Sequence, residues 1–446
     1  MAFACPAMDR YHRLWRREAG DRMSKWRWLL LQYARKLWVR ATLIGALGIA
    51  AAGLASLADR FVPLQFAFRI SADAIDSLLT IIASSMLAVT TFSLSVITAA
   101  FWSATANITP RATRLLAEDR LTQNVLSVFI GSFLFSIVGL VVLKAGVYNE
   151  QGRVVLFVVT IAVLAMIVMS LMRWIDHLTR FGRVGETTER LEDVARAAIK
   201  ARLKEPYFGG RPLTDTKNGL PSDAMAVRSL DTGYVIHFSM ERLARAVADS
   251  GGKVYLAATP GSFVYRDTAL AWVHFETPPE TDIDRGAIAA AVRDAFTLDD
   301  DRSFDQDPGY GISVLGEIAL RALSPAINDP GTAIDVIGRV ARLLTLWAEG
   351  AENKPDDEIA YPGIHVPPLE TAELFAKAFE PIARDGAKMI EVQLKLRETL
   401  RALSRLGDDG FRSAARHQAE LALKRAGAAQ VLEEEVRRLE MIRVGD

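Results

Sequence analysis

The chain lacks most of the residues and motifs from which enzymes and metal proteins are recognised. Cys5 is its only cysteine, which excludes an intramolecular disulfide and a cysteine-based zinc or iron–sulfur site. The phosphate-binding loop, the dinucleotide-binding glycine pattern, the zinc-protease motif and the serine-hydrolase motif do not occur in a fitting context. The formal net charge is zero, because 53 basic residues balance 53 acidic ones. We therefore predict no catalytic residue, metal ligand or cofactor, and no nucleic-acid partner.

Charge is absent from one long stretch, and this absence indicates a membrane protein. Residues 77–110 contain no Asp, Glu, Lys, Arg or His. A helix rises about 1.5 Å per residue, so this run exceeds the roughly 30 Å hydrocarbon core of a bilayer. Three shorter charge-poor runs cover residues 41–58, 121–143 and 154–172. The sequence thus predicts four transmembrane helices.

The distribution of basic residues predicts the orientation of these helices. Many Lys and Arg residues precede the first apolar run, and four follow the last one closely. The loops after the first and third runs contain two basic residues each, whereas the loop after the second contains three. This pattern favours cytoplasmic N and C termini. Residues 1–36 are basic and aromatic and are expected to form an amphipathic helix at the cytoplasmic face. They lack the apolar segment of a secretory signal peptide, so the first span is expected to remain as an anchor.

The second apolar run carries a stripe of hydroxyl and small side chains. Steps of three and four residues place the following residues on one helical face: Ser84, Ala88, Thr91, Ser95, Thr98, Trp102 and Thr105. Such a face suits close packing between helices, with each hydroxyl bonded to its own backbone or to a neighbour. It equally suits the lining of a water-filled path in an oligomer. Both interpretations stay open at this stage.

Composition and hydrophobic period predict five regions along the chain. They are a basic interfacial helix (1–36), a four-helix transmembrane domain (37–176), a helical connector and linker (177–223), a small mixed α/β domain (224–300) and a helical domain (301–446). The fold class is therefore an α-helical integral membrane protein with a C-terminal α+β cytoplasmic region that ends in helices.

Two groups of polar residues are interpreted as structural. Asp176 and His177 are expected to lie solvated at the water interface after the last span. The acidic residues between 299 and 307 do not match a calcium-binding loop. When Asp305 or Asp307 is counted as position one, the twelfth residue is Gly316 or Ile318, where the loop requires Glu. We expect these acids to occupy solvated turns and helix caps.

Prolines mark further local structure. Thr109 before Pro110 and Asp329 before Pro330 each place a good N-cap before a good first helical residue, so a helix is expected to begin at each pair, the first of them running to about Thr122. Pro260 and Gly261 are expected to form a turn, and the region up to Pro368 is expected to be a loop.

Two segments resemble those of one protein family. They read FSLSVITAAFWSATANITPRATRLLAEDRLTQ and QDPGYGISVLGEIALRALSPAINDPGTAIDVIGRV. Both are similar to the DUF2254 family of bacterial predicted membrane proteins, and the string ALSPAINDP carries most of the specificity. This chain has Thr109 where the family usually has Ser before Pro-Arg. The residues that match the family pattern, in a structural or binding role, are Thr109, Pro110, Arg111, Gly233, Tyr234, Pro260, Gly261, Ser324, Pro325, Asn328, Asp329 and Pro330.

The resemblance implies a multi-pass protein of the bacterial inner membrane but no particular activity. From the residues themselves, the favoured hypothesis is a homo-oligomeric channel or transport module for a small ion or solute, gated by the cytoplasmic domain. The alternative is a membrane-anchored cytoplasmic sensor or scaffold. An enzyme is the least supported hypothesis, because Ser324, Asn328 and Asp329 have no activating base beside them in the sequence.

Overall fold

A computed structural model describes residues 71–446, apart from positions 118, 147, 149, 180–182, 214–219, 249, 276–281, 353–358 and 446. The predicted N-terminal helix (1–36) and the first predicted span (41–58) lie outside the described residues. Contacts within the chain define two units. Of the described residues, those up to 106 and those at 113–186 form the first unit, and those at 107–112 and 187–446 form the second.

The first unit is built from long apolar helices. These are α1 (Ala72–Asn107), α3 (Arg120–Lys144) and α4 (Glu150–Leu178), and the short α2 (Pro110–Ala117) lies between α1 and α3 in the chain. Among the residues that the structure describes, three segments are long and apolar enough to cross a membrane, namely Ala72–Trp102, Leu121–Lys144 and Gly152–Leu178. These correspond to the second, third and fourth predicted spans.

Large apolar side chains fill the space between these three helices. Leu79 of α1, Phe135 of α3 and Leu156 of α4 form one fully buried cluster. A second buried cluster includes Phe129 and Trp174. Gly139 lies between α1 and α4, where an added Cβ would come within 3.2 Å of Leu79 Cδ1. The missing side chain lets the helices approach closely, as is common in membrane bundles.

The second unit begins with the main part of α5 (Val184–Lys204) and continues into two small sheets. The first sheet has the strand order β1-β8-β4-β6-β2 and the second has the order β5-β3-β7. The strands are β1 (Arg211–Pro212), β2 (Met225–Arg228), β3 (Gly233–Phe238), β4 (Lys253–Leu256), β5 (Phe263–Val264), β6 (Ala269–His274), β7 (Phe296–Asp299) and β8 (Ile364–Val366). Helices α6 (Met240–Ala246) and α7 (Asp282–Arg293) complete this part.

Strands β1 and β8 lie outside residues 224–300, where the sequence predicts the α/β region. They pair with each other in parallel, and β8 also pairs in parallel with β4. With two and three residues respectively, neither is long enough to show the period-two pattern from which strands are predicted. The stretch before Pro368, read as a loop from its composition, thus supplies an interior strand.

In the part of the second unit that the structure describes, six helices follow. They are α8 (Pro308–Ala322), α9 (Pro330–Glu352), α10 (Thr371–Asp385), α11 (Ile390–Leu403), α12 (Asp409–Ala429) and α13 (Glu433–Met441). Helix α10 packs against both α8 and α12. Phe375 and Phe379 of α10 are fully buried, and Phe375 meets Phe411 of α12 edge to face at 4.8 Å between ring centroids. These aromatic contacts stabilise the helical core.

Candidate functional site

The hydroxyl stripe of α1 lies on a face that no described residue covers. Ser84, Thr91, Ser95 and Thr98 are all exposed, and Trp102 is 75% exposed. Each of the four hydroxyls donates to a carbonyl oxygen one turn earlier in the same helix, at 2.9–3.0 Å. Because their donors are satisfied within α1, these side chains tolerate lipid, a neighbouring helix or water.

The opposite face of α1 differs in both burial and chemistry. Ile75, Leu79 and Ile82 are buried there, together with Ser93. Ser93 is only two residues from Ser95, yet it is completely buried while Ser95 is exposed. The helix therefore has one face that packs in the interior of the first unit and an outward surface on which the hydroxyl stripe lies beside exposed apolar side chains such as Phe92 and Leu94.

Thr109, Pro110 and Arg111 start a new helix directly after α1. Helix α2 begins at Pro110, and the Thr109 hydroxyl accepts from the Ala112 amide at 3.4 Å. The predicted combination of a threonine cap and a proline first residue is confirmed. The prediction that this helix extends to about Thr122 is wrong. It ends at Ala117, because Asp119 caps a separate helix by accepting from the Thr122 amide at 2.8 Å.

Arg111 joins the two family-like segments, which are far apart in the sequence. Its guanidinium forms an ion pair with the carboxylate of Glu317 in α8, and both residues belong to the second unit. The Arg111 side chain is 55% exposed and that of Glu317 is 27% exposed. No sequence signal indicates Glu317, because 206 positions separate the two residues.

Helix α8 is fixed at its N terminus by a buried carboxylate. Asp307 caps the helix, accepting from the Tyr310 amide at 3.1 Å, and its other oxygen accepts from Arg302 at 2.5 and 3.0 Å. Burial raises the pKa of Asp307, and the charges of Arg302 and Lys377 offset part of that effect. The predicted capping role is confirmed, whereas the expectation that this acid is solvated is wrong.

The predicted turn at Pro260 and Gly261 packs on this carboxylate. Gly261 has a φ of 94° and its amide donates to Val235 in β3 at 2.8 Å. Gly233 begins β3, and a Cβ there would lie 2.9 Å from the Asp299 carbonyl oxygen of β7. The two family-like glycines therefore permit close backbone contacts around α8 and the β5-β3-β7 sheet.

Tyr234 follows Gly233 and belongs to an exposed aromatic group on the same sheet. Its ring meets Phe263 edge to face at 4.8 Å, and Phe263 meets Tyr265 at 5.1 Å. Phe263 and Tyr265 are both exposed. Aromatic side chains grouped on a surface favour contact with a protein or lipid partner.

The segment from Ser324 to Pro330 forms the turn between α8 and α9. The Asn328 amide donates to the Ser324 carbonyl and the Asp329 amide to the Ala322 carbonyl, both at 2.8 Å. Asn328 has a φ of 50°, which Asn tolerates better than most residues. Pro325 is exposed in the turn.

Asp329 caps α9, as predicted. Its Oδ1 accepts from the Thr332 amide at 3.0 Å, and helix α9 begins at Pro330. The bonds from Thr332 lower the pKa of Asp329. The hydrogen bonds of this turn are therefore local, within the turn and to the ends of α8 and α9, and the turn lies on the surface.

The expectation that His177 is solvated at the membrane interface is wrong. It is 8% exposed, and its Nε2 lies 2.9 Å from Oδ2 of Asp119, which is 9% exposed. The Thr122 hydroxyl donates to the same Asp119 oxygen at 2.5 Å. Asp176 is exposed, in line with the prediction for that residue. Sequence reasoning missed the pair because its members belong to different helices, 58 positions apart in number.

Another buried carboxylate, that of Glu192, lies on α5 and binds three arginines. Glu192 contacts Arg196 at 2.6 Å, Arg339 at 3.1 Å and Arg342 at 2.7 Å. This network joins α5 to α9 within the second unit. In the part of the chain that the structure describes, no group of three or more His, Cys, Asp or Glu residues could hold a metal ion.

The three long apolar helices and the mixed α/β and helical unit define a predominantly helical protein of the membrane class. The family model described as predicted membrane protein (DUF2254) matches residues 34–402, and the chain belongs to this family.

Mycobacterial proteins are similar to part of the chain. An uncharacterized protein of Mycobacterium bovis (Mb1321c) and one of Mycobacterium tuberculosis (Rv1290c) are each 25% identical over 265 residues. The match covers 57% of this chain and 48% of each relative, so the chain spans about half the length of these relatives. No solved structure matches the chain.

Proposed function

We propose that this protein is an oligomeric channel or transport module of the bacterial inner membrane, which conducts a small ion or solute along the hydroxyl face of α1. The observation that carries the proposal is the exposure of Ser84, Thr91, Ser95 and Thr98 on a helix whose other face is packed. Apolar side chains fill the space between α1, α3 and α4. The path would therefore run between copies of the chain, lined by α1 from each copy.

The polar lining suits conduction without ionisable groups in the path. The stripe contains hydroxyls and Trp102 but no charged side chain. Hydroxyls bonded to their own backbone keep an acceptor lone pair for water, so water can occupy such a face. The second unit, which follows the membrane helices, supplies the gate in this proposal.

Membrane topology can be tested independently of conduction. We propose four spans with both termini in the cytoplasm, from the asymmetry of basic residues. Reporter fusions after Gln65 and after Glu150 are expected to read as external, and a fusion after Glu186 as cytoplasmic. An external signal from the Glu186 fusion would contradict the orientation and place the second unit outside the cell.

Cysteine accessibility tests the water-filled path. Cys5→Ser leaves a background without thiols, and single cysteines are then placed at Ser95, Ser93 and Leu94. In assembled protein in liposomes, Ser95→Cys is expected to react with a water-soluble thiol reagent. Ser93→Cys, which is buried, and Leu94→Cys, on the exposed apolar surface, are expected to be protected. Equal protection at all three positions would refute the path along the stripe.

Flux through liposomes provides the functional measurement. Ser95→Leu is expected to suppress flux of the permeant ion while the oligomer mass in detergent stays the same, since an apolar constriction opposes wetting. If the stripe instead packs between helices, the added bulk is expected to dissociate the oligomer or lower its stability by about 1–3 kcal/mol. Loss of assembly together with protected cysteines would therefore favour packing over conduction.

A membrane-anchored scaffold or sensor is the second candidate, and the exposed aromatic group of Tyr234, Phe263 and Tyr265 favours it. In this case the membrane helices serve as an anchor and the second unit binds a partner. Absent flux, together with a defined partner lost on Tyr265→Ser, would support the scaffold. Flux that persists in Tyr265→Ser would support the channel.

A further inference from the structure

The segment that follows α1 belongs to the second unit by its contacts. Residues 107–112 group with residues 187–446, whereas α1 up to residue 106 groups with the first unit. Ile108 and Ala112 are completely buried. The chain therefore passes from the striped helix into a fixed segment of the second unit within a few residues.

Local chemistry fixes where the side chain of Arg111 is placed. Thr109 caps α2, and Pro110 occupies its first position. The proline ring restricts φ to about −65°, which sets the direction of the new helix. Arg111 is thus held in the first turn of α2, where it pairs with Glu317.

Glu317 is carried by a helix that is firmly anchored. The first turn of α8 is capped by Asp307, which is held by Arg302 and packed against Gly261. Ile312, Leu315 and Ile318 of α8 are buried. A helix fixed in this way moves as a rigid body, so a displacement near the β5-β3-β7 sheet would reach Glu317.

We propose that the Arg111–Glu317 ion pair is the link through which the second unit regulates the path along α1. This inference rests on the proposed function and specifies its gate. Both side chains are partly exposed, so the pair can break and re-form without leaving a buried charge. An exposed pair of this kind changes a two-state equilibrium by up to about 5-fold, which is enough to bias an open–closed ratio.

Charge reversal tests the link in the full-length protein. The measurement is flux into liposomes of K⁺, Cl⁻ or glycerol, each assayed in turn as the probe. Arg111→Glu and Glu317→Arg are each expected to change this flux by about 2- to 5-fold, and the double variant Arg111→Glu/Glu317→Arg is expected to restore it. The matched control is Arg245→Glu, which breaks an ion pair with Glu241 at 3.3 Å whose side chains are 52% and 36% exposed. The control is expected to leave flux unchanged.

Accessibility of α1 separates failure of the link from failure of the channel. Thr98→Cys in the Cys5→Ser background is expected to change its rate of reaction with a water-soluble thiol reagent by about 2- to 5-fold on Arg111→Glu. The double charge swap is expected to restore the rate. A changed and rescued rate in protein without flux would support the link and refute the channel.

The opposite result refutes the link. Unchanged reaction rates and unchanged flux in both single charge reversals would do so, even if the wild type conducts. A change that the double swap does not restore would also count against it, because the effect would then come from either side chain alone. An equal change in Arg245→Glu would show that surface charge in general is responsible.

Discussion

The carboxylate of Asp307 occupies the space that a side chain at Gly261 would need. A Cβ built on Gly261 collides with Asp307 Oδ2, and the φ of 94° at Gly261 is unfavourable for other residues. Asp307 is at the same time the cap of α8 and the partner of Arg302. One carboxylate therefore caps the helix through Oδ1 and lies against the turn through Oδ2.

Gly261→Ala is expected to destabilise the protein by about 2–4 kcal/mol, since it adds both backbone strain and a steric clash. The measurement is the free energy of unfolding of the purified protein in detergent, followed by the tryptophan signal. Gly286→Ala in α7 is the control, because a Cβ there meets no atom within 4 Å. That change is expected to be neutral or to stabilise by about 0.5–1 kcal/mol. Equal stability of the two variants would contradict the close packing at Asp307.

Local signals in the sequence allowed several elements around α8 to be predicted. Asp329 before Pro330 and Thr109 before Pro110 both predicted a cap and a first helical residue, because capping depends on neighbours in the chain. The role of Asp307 as a cap follows from the same rule. Its burial could not be predicted, since Arg302 and Gly261 are brought to it by tertiary structure.

Asp329→Ala is expected to lower the free energy of unfolding by about 0.5–2 kcal/mol through loss of the α9 cap. Asp329→Asn and Asp329→Ser are expected to restore most of that stability, because both side chains still accept from the Thr332 amide. Chemical denaturation of the three variants provides the measurement. If Asp329→Ala remains fully stable but flux is lost, the turn would have a binding role and not only a structural one.

The ion pairs of Glu192 are expected to make the stability of the protein depend on pH. Burial alone raises the pKa of Glu192, but bonding and charge from Arg342, Arg196 and Arg339 outweigh it and hold the pKa below the ordinary value of 4.5. A carboxylate with a lowered pKa in the folded state stabilises the protein above its unfolded pKa, and that contribution is lost as the pH falls through the folded pKa. The network is therefore expected to stabilise the protein at neutral pH and to weaken in acid.

Glu192→Gln is expected to cost about 3 kcal/mol at pH 7, since it leaves three arginines without their shared carboxylate. As the pH is lowered from 7 to 3, the free energy of unfolding is expected to fall less steeply in this variant than in the wild type. Glu373→Gln is the matched control, because Glu373 forms an exposed pair with Lys377 at 2.9 Å and its loss costs at most about 1 kcal/mol. Parallel pH profiles for wild type and Glu192→Gln would contradict the lowered pKa.

The buried polar groups show where prediction from sequence ends. Long apolar runs are visible because the bilayer sets their length, and three of the four predicted runs correspond to described helices. Charge pairs such as Arg111 with Glu317 and His177 with Asp119 depend on which helices pack together. His177 appeared solvated in the sequence because it follows the last apolar run, whereas the start of α3 covers it in the structure.

Removing His177 tests this buried pair in the first unit. His177→Leu takes the imidazole away from a carboxylate that is 9% exposed, and losing one partner of a buried pair costs about 3–5 kcal/mol. Asp119→Asn combined with His177→Leu is expected to recover part of the loss, because the amide oxygen still caps α3 at the Thr122 amide and no buried charge remains. His417→Leu, at an exposed position in α12, is expected to change stability by less than about 0.5 kcal/mol. The readout is unfolding in detergent at fixed pH. A cost for His177→Leu no larger than that for His417→Leu would mean that the Asp119–His177 contact does not stabilise the joint between α3 and α4.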